Sequence, residues 1–94
     1  MESTWALCRE RGLIQRTWGD EVVVYDPRSG NTHLLDPVAT AVLQHLNVSD
    51  RSAAAIAECL LTEFEADSAE DVLAAVHAAL AKLQDIGLVQ SAEE

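Results

Sequence analysis

The sequence predicts one α+β domain in which a three-stranded antiparallel meander is followed by three helices. Residues 13–35 hold three short runs rich in β-branched and aromatic residues, with turn-forming residues between them. Residues 36–87 hold three segments with apolar residues at helical spacing, each preceded by a residue that can cap a helix. Because the chain of 94 residues shows no repeat and no linker, we expect a single domain over residues 1–94.

The strands are predicted by their composition and by the turns between them. The runs LIQRTW (13–18) and EVVVYD (21–26) flank Gly19-Asp20, a spacing typical of a two-residue hairpin. The segment PRSG (27–30) predicts a second turn, since proline suits its first position and glycine can take a positive φ. A third strand is then expected at about 31–35, on one edge of the sheet.

The central strand is apolar on both faces, because valines and a tyrosine alternate along it. The helices can bury only one of these faces. The other face must be covered by Trp5 and Leu7 from an N-terminal arm (residues 1–12), by a second subunit or by another partner. A homodimer is therefore one way to cover it.

The helices are predicted by capping residues and periodicity. A serine or aspartate stands before each apolar run, and Gly87 is a typical helix stop. The predicted boundaries are Asp36-Pro37 to about Leu46, Ser52 to Phe64, and Ser68 to Gly87.

The charge and hydropathy of the chain argue against two classes of partner. The net charge is -10, and residues 48–94 alone carry -8, which opposes binding to nucleic-acid phosphates. No run of about 18 apolar residues is present, so no membrane span is expected. The start has no apolar signal-peptide core, and we expect a cytoplasmic protein whose two cysteines, Cys8 and Cys59, are reduced.

No motif in the sequence predicts catalysis, a metal or another cofactor. His33, His45 and His77 fall on a strand and two different helices, without metal-ligand spacing. Nucleophile elbows and phosphate-binding glycine loops are absent, and Cys8 has only Arg9 and Arg11 nearby, with no base. We therefore expect a protein that is not an enzyme.

The third strand is the most informative segment that remains. Between Asn31 and Leu35 it contains no lysine, proline or acid, which are the residues that usually protect an edge. Its free backbone groups could pair with an extended peptide, and the apolar face of the third helix could supply a neighbouring groove. A loop, the arm or a second copy could cover the same edge instead.

These residues resemble the PqqD-like family, and in particular its HPr-rel-A branch. The resemblance is carried by Trp5, Trp18, Glu21, the run from Val23 to Tyr25, SGNTHLL at 29–35 and the closing LAKLQDIGLV at 80–89. It implies a winged-helix-like fold that binds the leader of a ribosomally made precursor peptide and presents it to modifying enzymes, with an HPr-kinase-like partner. It also implies a docking strand at Asn31, Thr32, His33, Leu34, Leu35 and Asp36, and a helix wall at Val72, Ala75, Val76, Ala79 and Leu83.

The charges on the third helix do not suit the binding of an acidic leader. It offers Lys82 against Glu70, Asp71 and Asp85, so we expect a neutral or basic leader at this groove. Two alternative functions are a winged-helix nucleic-acid binder, which the acidic helix opposes, and a phosphoacceptor modified on His33 or Ser29 by the kinase-like partner.

Overall fold

The computed structural model describes residues 4–8, 12–18 and 21–91. They form two three-stranded sheets and three helices. The strands are β1 (Thr4–Leu7), β2 (Ile14–Trp18), β3 (Glu21–Tyr25), β4 (Thr32–Leu35), β5 (Arg51–Ser52) and β6 (Val89–Ser91). The helices are α1 (Pro37–Val48), α2 (Ala53–Glu63) and α3 (Ala69–Asp85).

The predicted meander is confirmed as the sheet β2-β3-β4, with antiparallel pairing throughout. Trp18 pairs with Glu21 across the first hairpin, while the predicted turn at Gly19-Asp20 lies outside the described residues. In the second turn the Asp26 carboxylate accepts hydrogen bonds from the Arg28 backbone N–H (2.9 Å) and the Ser29 hydroxyl (3.1 Å). Gly30 has a φ of 78°, which favours glycine, and the chain then enters β4.

The three predicted helices are confirmed, with the capping residues in their expected roles. The side chains of Asp36, Ser52 and Ser68 accept hydrogen bonds from backbone N–H groups three residues ahead, at 2.7, 3.2 and 3.3 Å. These bonds satisfy donors that have no partner inside a helix. At the end of α3, Gly87 has a φ of 87° and the Leu88 N–H bonds to the Leu83 carbonyl at 2.9 Å.

The second sheet was not predicted. It has the order β5-β1-β6, so the segment from Thr4 to Leu7 pairs with strands from the middle and the end of the chain. The Cys8 N–H also donates to the Leu88 carbonyl at 2.7 Å. Trp5 and Leu7 pack against the buried core, and β1 lies against α1.

The core lies between the meander and the helices. Val22, Val24 and Leu35 present the inner face of the sheet and are almost fully buried. The outer face stays open within the described residues, because Ile14, Tyr25 and Leu34 are 42%, 40% and 57% exposed. The described part of the arm does not cover this face, because β1 pairs within the other sheet. No helix in the described part of the chain is long and apolar enough to cross a membrane.

Candidate functional site

Strand β4 is an open edge of the meander. Within the described residues it pairs only with β3, and its other side has no neighbouring strand. None of its four residues is charged or proline, so the edge lacks the usual protection against pairing with another chain.

The register shows which backbone groups of β4 are free. The Asp26 N–H donates to the Asn31 carbonyl at 2.8 Å, and the next pairs along the ladder are Tyr25–Thr32 and Val24–His33. Because bonded and non-bonded pairs alternate in an antiparallel ladder, His33 and Leu35 bond to β3. The N–H and C=O groups of Thr32 and Leu34 therefore point away from β3, toward the open side.

The two ends of the predicted docking strand are already engaged. The Asn31 carbonyl accepts from Asp26, and its N–H donates to the Ser29 hydroxyl at 3.3 Å. At the other end, the Asp36 carboxylate caps α1 and its carbonyl accepts from Thr40, while its N–H donates to no described backbone group. Within the predicted segment 31–36, free backbone groups are thus concentrated at Thr32 and Leu34, with the Asp36 N–H next to them.

The side chains of β4 divide between the two faces of the sheet. His33 and Leu35 lie opposite Val24 and Val22, so they share the inner face, where Leu35 is fully buried and His33 is half-buried. Thr32 and Leu34 lie on the exposed outer face. A strand added beside β4 would therefore send alternate side chains past His33 toward the helices.

The predicted helix wall on α3 is only partly accessible. Val72 and Ala75 are half-buried, whereas Val76, Ala79 and Leu83 belong to the buried core. Direct contact with a docked peptide is available to the first two, and the other three support the helix from beneath.

An apolar pocket connects this flank of α3 with the start of α1. It has a volume of about 160 Å³ and is lined by Val38, Leu60, Phe64, Asp71, Val72 and Ala75. Val38 follows the last residue of β4 by three positions, so the pocket begins within about 11 Å of the strand end at 3.8 Å per residue. The pocket therefore lies near the end of β4, and we call the open side of β4 together with this pocket the groove.

Sequence reasoning did not assign four residues of this pocket to the site, namely Val38, Leu60, Phe64 and Asp71. Val38 lies in the first turn of α1, Leu60 and Phe64 lie at the end of α2, and Asp71 was considered only as one of the acids of the third helix. In the structure Phe64 caps the end of α2 and is 47% exposed. An aromatic residue at a helix end is a usable signal, but the partners it meets depend on how the three helices pack.

The described residues contain no group of three His, Cys, Asp or Glu side chains that could hold a metal ion. His45 Nε2 lies 2.7 Å from Glu63 Oε2 and links α1 to α2, while His77 is exposed on α3. The site is thus composed of open backbone groups and an apolar pocket.

A known protein family matches most of the chain. The model of the family described as coenzyme PQQ synthesis protein D (PqqD) matches residues 21–89, from the start of β3 to the start of β6. No curated protein matches the chain.

Two solved structures share the fold. One is TbiB1 in complex with the TbiA(beta) leader peptide, with 21% identity, a TM-score of 0.73, and coverage of 87% of this chain and 93% of that chain. The other is lasso peptide synthetase B1 complexed with the leader peptide, with 23% identity, a TM-score of 0.71, and coverage of 92% and 96%. At these identities the likeness establishes the fold.

Proposed function

Because the chain belongs to the PqqD family, we propose that it is a non-catalytic adaptor that binds the leader of a ribosomally made precursor peptide. The leader adds as a strand beside β4, and the adaptor presents the rest of the precursor to modifying enzymes. The observation that carries this proposal is the open backbone of Thr32 and Leu34 beside the apolar pocket. The two structural neighbours support it, since each is a complex with a leader peptide.

The energetics indicate that strand pairing and the pocket act together. Thr32 and Leu34 offer four backbone groups, and a net gain of about 0.5–1.5 kcal/mol for each gives about 2–6 kcal/mol. A micromolar complex requires about 8 kcal/mol after the loss of motional freedom has been offset. Burial of one large apolar side chain adds about 1.5–3 kcal/mol. The leader therefore needs apolar residues that reach the pocket.

The proposed site follows the sequence prediction, with a division of roles. Thr32 and Leu34 form the intermolecular hydrogen bonds, His33 lies beside the docked strand, and Val72 and Ala75 contact its side chains. The remaining predicted residues, namely Asn31, Leu35, Asp36, Val76, Ala79 and Leu83, hold the strand and helix in position.

The partners beyond the leader are also proposals. A modifying enzyme, of HPr-kinase-like type, would receive the bound precursor, and the open outer face of the meander offers a surface for it or for a homodimer. A cytoplasmic location stays a prediction from the sequence.

An NMR titration tests the proposed function. Amide resonances of ¹⁵N-labelled protein are followed while the leader segment of the precursor encoded beside its gene is added. We expect the largest shifts in residues 32–35 and in the first half of α3. Shifts confined to β1, β5 and β6 would contradict the proposal.

A further inference from the structure

The groove contains a charged side chain, Asp71, which indicates the charge of the peptide that binds there. Resting on the proposed function, we propose that the bound leader carries a lysine or arginine next to the apolar residue that fills the pocket, and that Asp71 pairs with this cation. The partner is thus an extended, basic and apolar peptide segment.

Asp71 is placed to read a charge on the peptide. It is the one charged residue that lines the pocket, whose other lining residues are apolar. It is exposed, and no described residue forms an ion pair with it. An acid in the first turn of α3 also stabilises the helix through its dipole. That effect accounts for an acid at this position, but it does not require the carboxylate to border a pocket.

The surrounding charges leave the Asp71 carboxylate unneutralised. Lys82, the one cation on α3, lies three turns further along, about 16 Å at 1.5 Å per residue, which is beyond the screening length of about 8 Å. Glu63, near the other side of the pocket, is already paired with His45 at 2.7 Å. Residues 48–94 hold ten acids against two bases. A basic peptide is therefore favoured and an acidic one is repelled.

The geometry permits both contacts by one peptide. A strand paired with Thr32 and Leu34 that continues past the end of β4 reaches Val38 within about three residues. An apolar side chain there fills the pocket, and a lysine or arginine beside it extends its alkyl stem over Phe64 or Val72 with its charge at Asp71.

The test uses a library of random peptides selected on the immobilised full chain. We expect an apolar residue with an adjacent Lys or Arg to be enriched. Replacing that cation by Glu, or Asp71→Asn in the protein, should weaken binding by about 2- to 5-fold, as for exposed ion pairs, and the loss should shrink at high salt.

The matched control is Glu70, which lies in the same first turn of α3 but does not line the pocket. Glu70→Gln changes the net charge and the interaction with the helix dipole by the same amount as Asp71→Asn does. Because it removes no carboxylate from the pocket, it should leave affinity unchanged. Asp71→Lys should shift the selected peptides toward acidic residues, and Glu70→Lys should not. Equal effects of the two substitutions, or none from Asp71→Asn, would overturn the inference.

The outcome separates this inference from the proposed function. If selected peptides shift the amides of residues 32–35 but show no preference for a cation, the inference is wrong and the proposed function stands. If no peptide is selected, or none shifts those amides, both are wrong. Shifts of the same amides that depend on protein concentration alone would assign the groove to a second copy of the chain.

Discussion

The substitution Leu34→Pro tests the open edge most specifically. It removes the Leu34 N–H, which points away from β3, and keeps the ladder bonds that His33 and Leu35 make. Proline is tolerated on an edge strand where the lost N–H faces solvent, so the domain should still fold. A docked peptide would lose one hydrogen bond and keep a carbonyl without a partner.

The expected loss follows from that unpaired carbonyl. Leaving one buried acceptor unsatisfied costs about 1–3 kcal/mol, which corresponds to a 5- to 150-fold larger dissociation constant. Isothermal titration calorimetry with the precursor's leader segment measures it. Leu34→Ala serves as the side-chain control and should bind as the wild type does, because this side chain lies on the outer face and is 57% exposed.

The opposite edge of the meander offers a matched backbone control. Val22 and Val24 bond to β4, so Val23 and Tyr25 bond to β2 through Arg16 and Ile14, and the N–H of Thr17 faces the other side. Thr17→Pro therefore makes the same chemical change on the edge that we do not propose as a site. Unchanged affinity for Leu34→Pro, or an equal loss for Thr17→Pro, would refute the reasoning.

Three further predictions concern stability. Leu35→Ala should lower the free energy of unfolding, measured in urea, by about 2–5 kcal/mol, because Leu35 is fully buried. Leu34→Ala should change it by less than about 0.5 kcal/mol, because Leu34 is exposed. Equal effects of the two substitutions would contradict the faces assigned to these side chains. Glu65, which follows the cap of α2, has a φ of 49°, a conformation that favours glycine. Glu65→Gly should therefore stabilise the domain by up to about 1 kcal/mol and raise the melting temperature by up to about 4–8 °C. A melting temperature equal to or below that of the wild type would refute the strain. The hydrogen bond from the Arg28 N–H lowers the pKa of Asp26 below its ordinary 3.8, so this carboxylate stabilises the fold above that pH and the effect is lost as pH falls through the folded pKa. The melting-temperature difference between wild type and Asp26→Ala should therefore be largest near neutral pH and vanish in strong acid, and a difference independent of pH would contradict it.

Much of the fold was predictable because its signals are local. The turn after Asp26, the three capping residues and the stop at Gly87 act within a few residues of themselves, and each has its expected hydrogen bonds. These features fix the order of the meander and the helices, which the structure confirms. The winged-helix likeness is compatible with this arrangement and stays a prediction.

The second sheet could not be predicted because it depends on distant pairings. β1 pairs with β5 and β6, which are two and three residues long and lie far along the chain. Such short strands carry little pattern of their own. The alternation of Trp5 and Leu7 was a signal for β1, but nothing in the sequence specifies its partners.

The proposed site combines a strand and a helix face that the sequence indicates, but its details depend on the tertiary structure. Which residues of β4 have free backbone groups depends on the register, and the bond between Asp26 and Asn31 determines that register. The pocket brings together Val38, Phe64 and Val72 from three helices. Their proximity is a result of tertiary packing and has no local signature.

Hydrogen exchange of the backbone amides of β4, measured by NMR with and without the leader segment, tests the central claim most directly. In the free protein, the amides of His33 and Leu35 should exchange slowly because they bond to β3, and those of Thr32 and Leu34 should exchange fast. With the peptide bound, Thr32 and Leu34 should become slow as well. If they stay fast in the saturated complex, the leader does not add as a strand beside β4 and the account is contradicted.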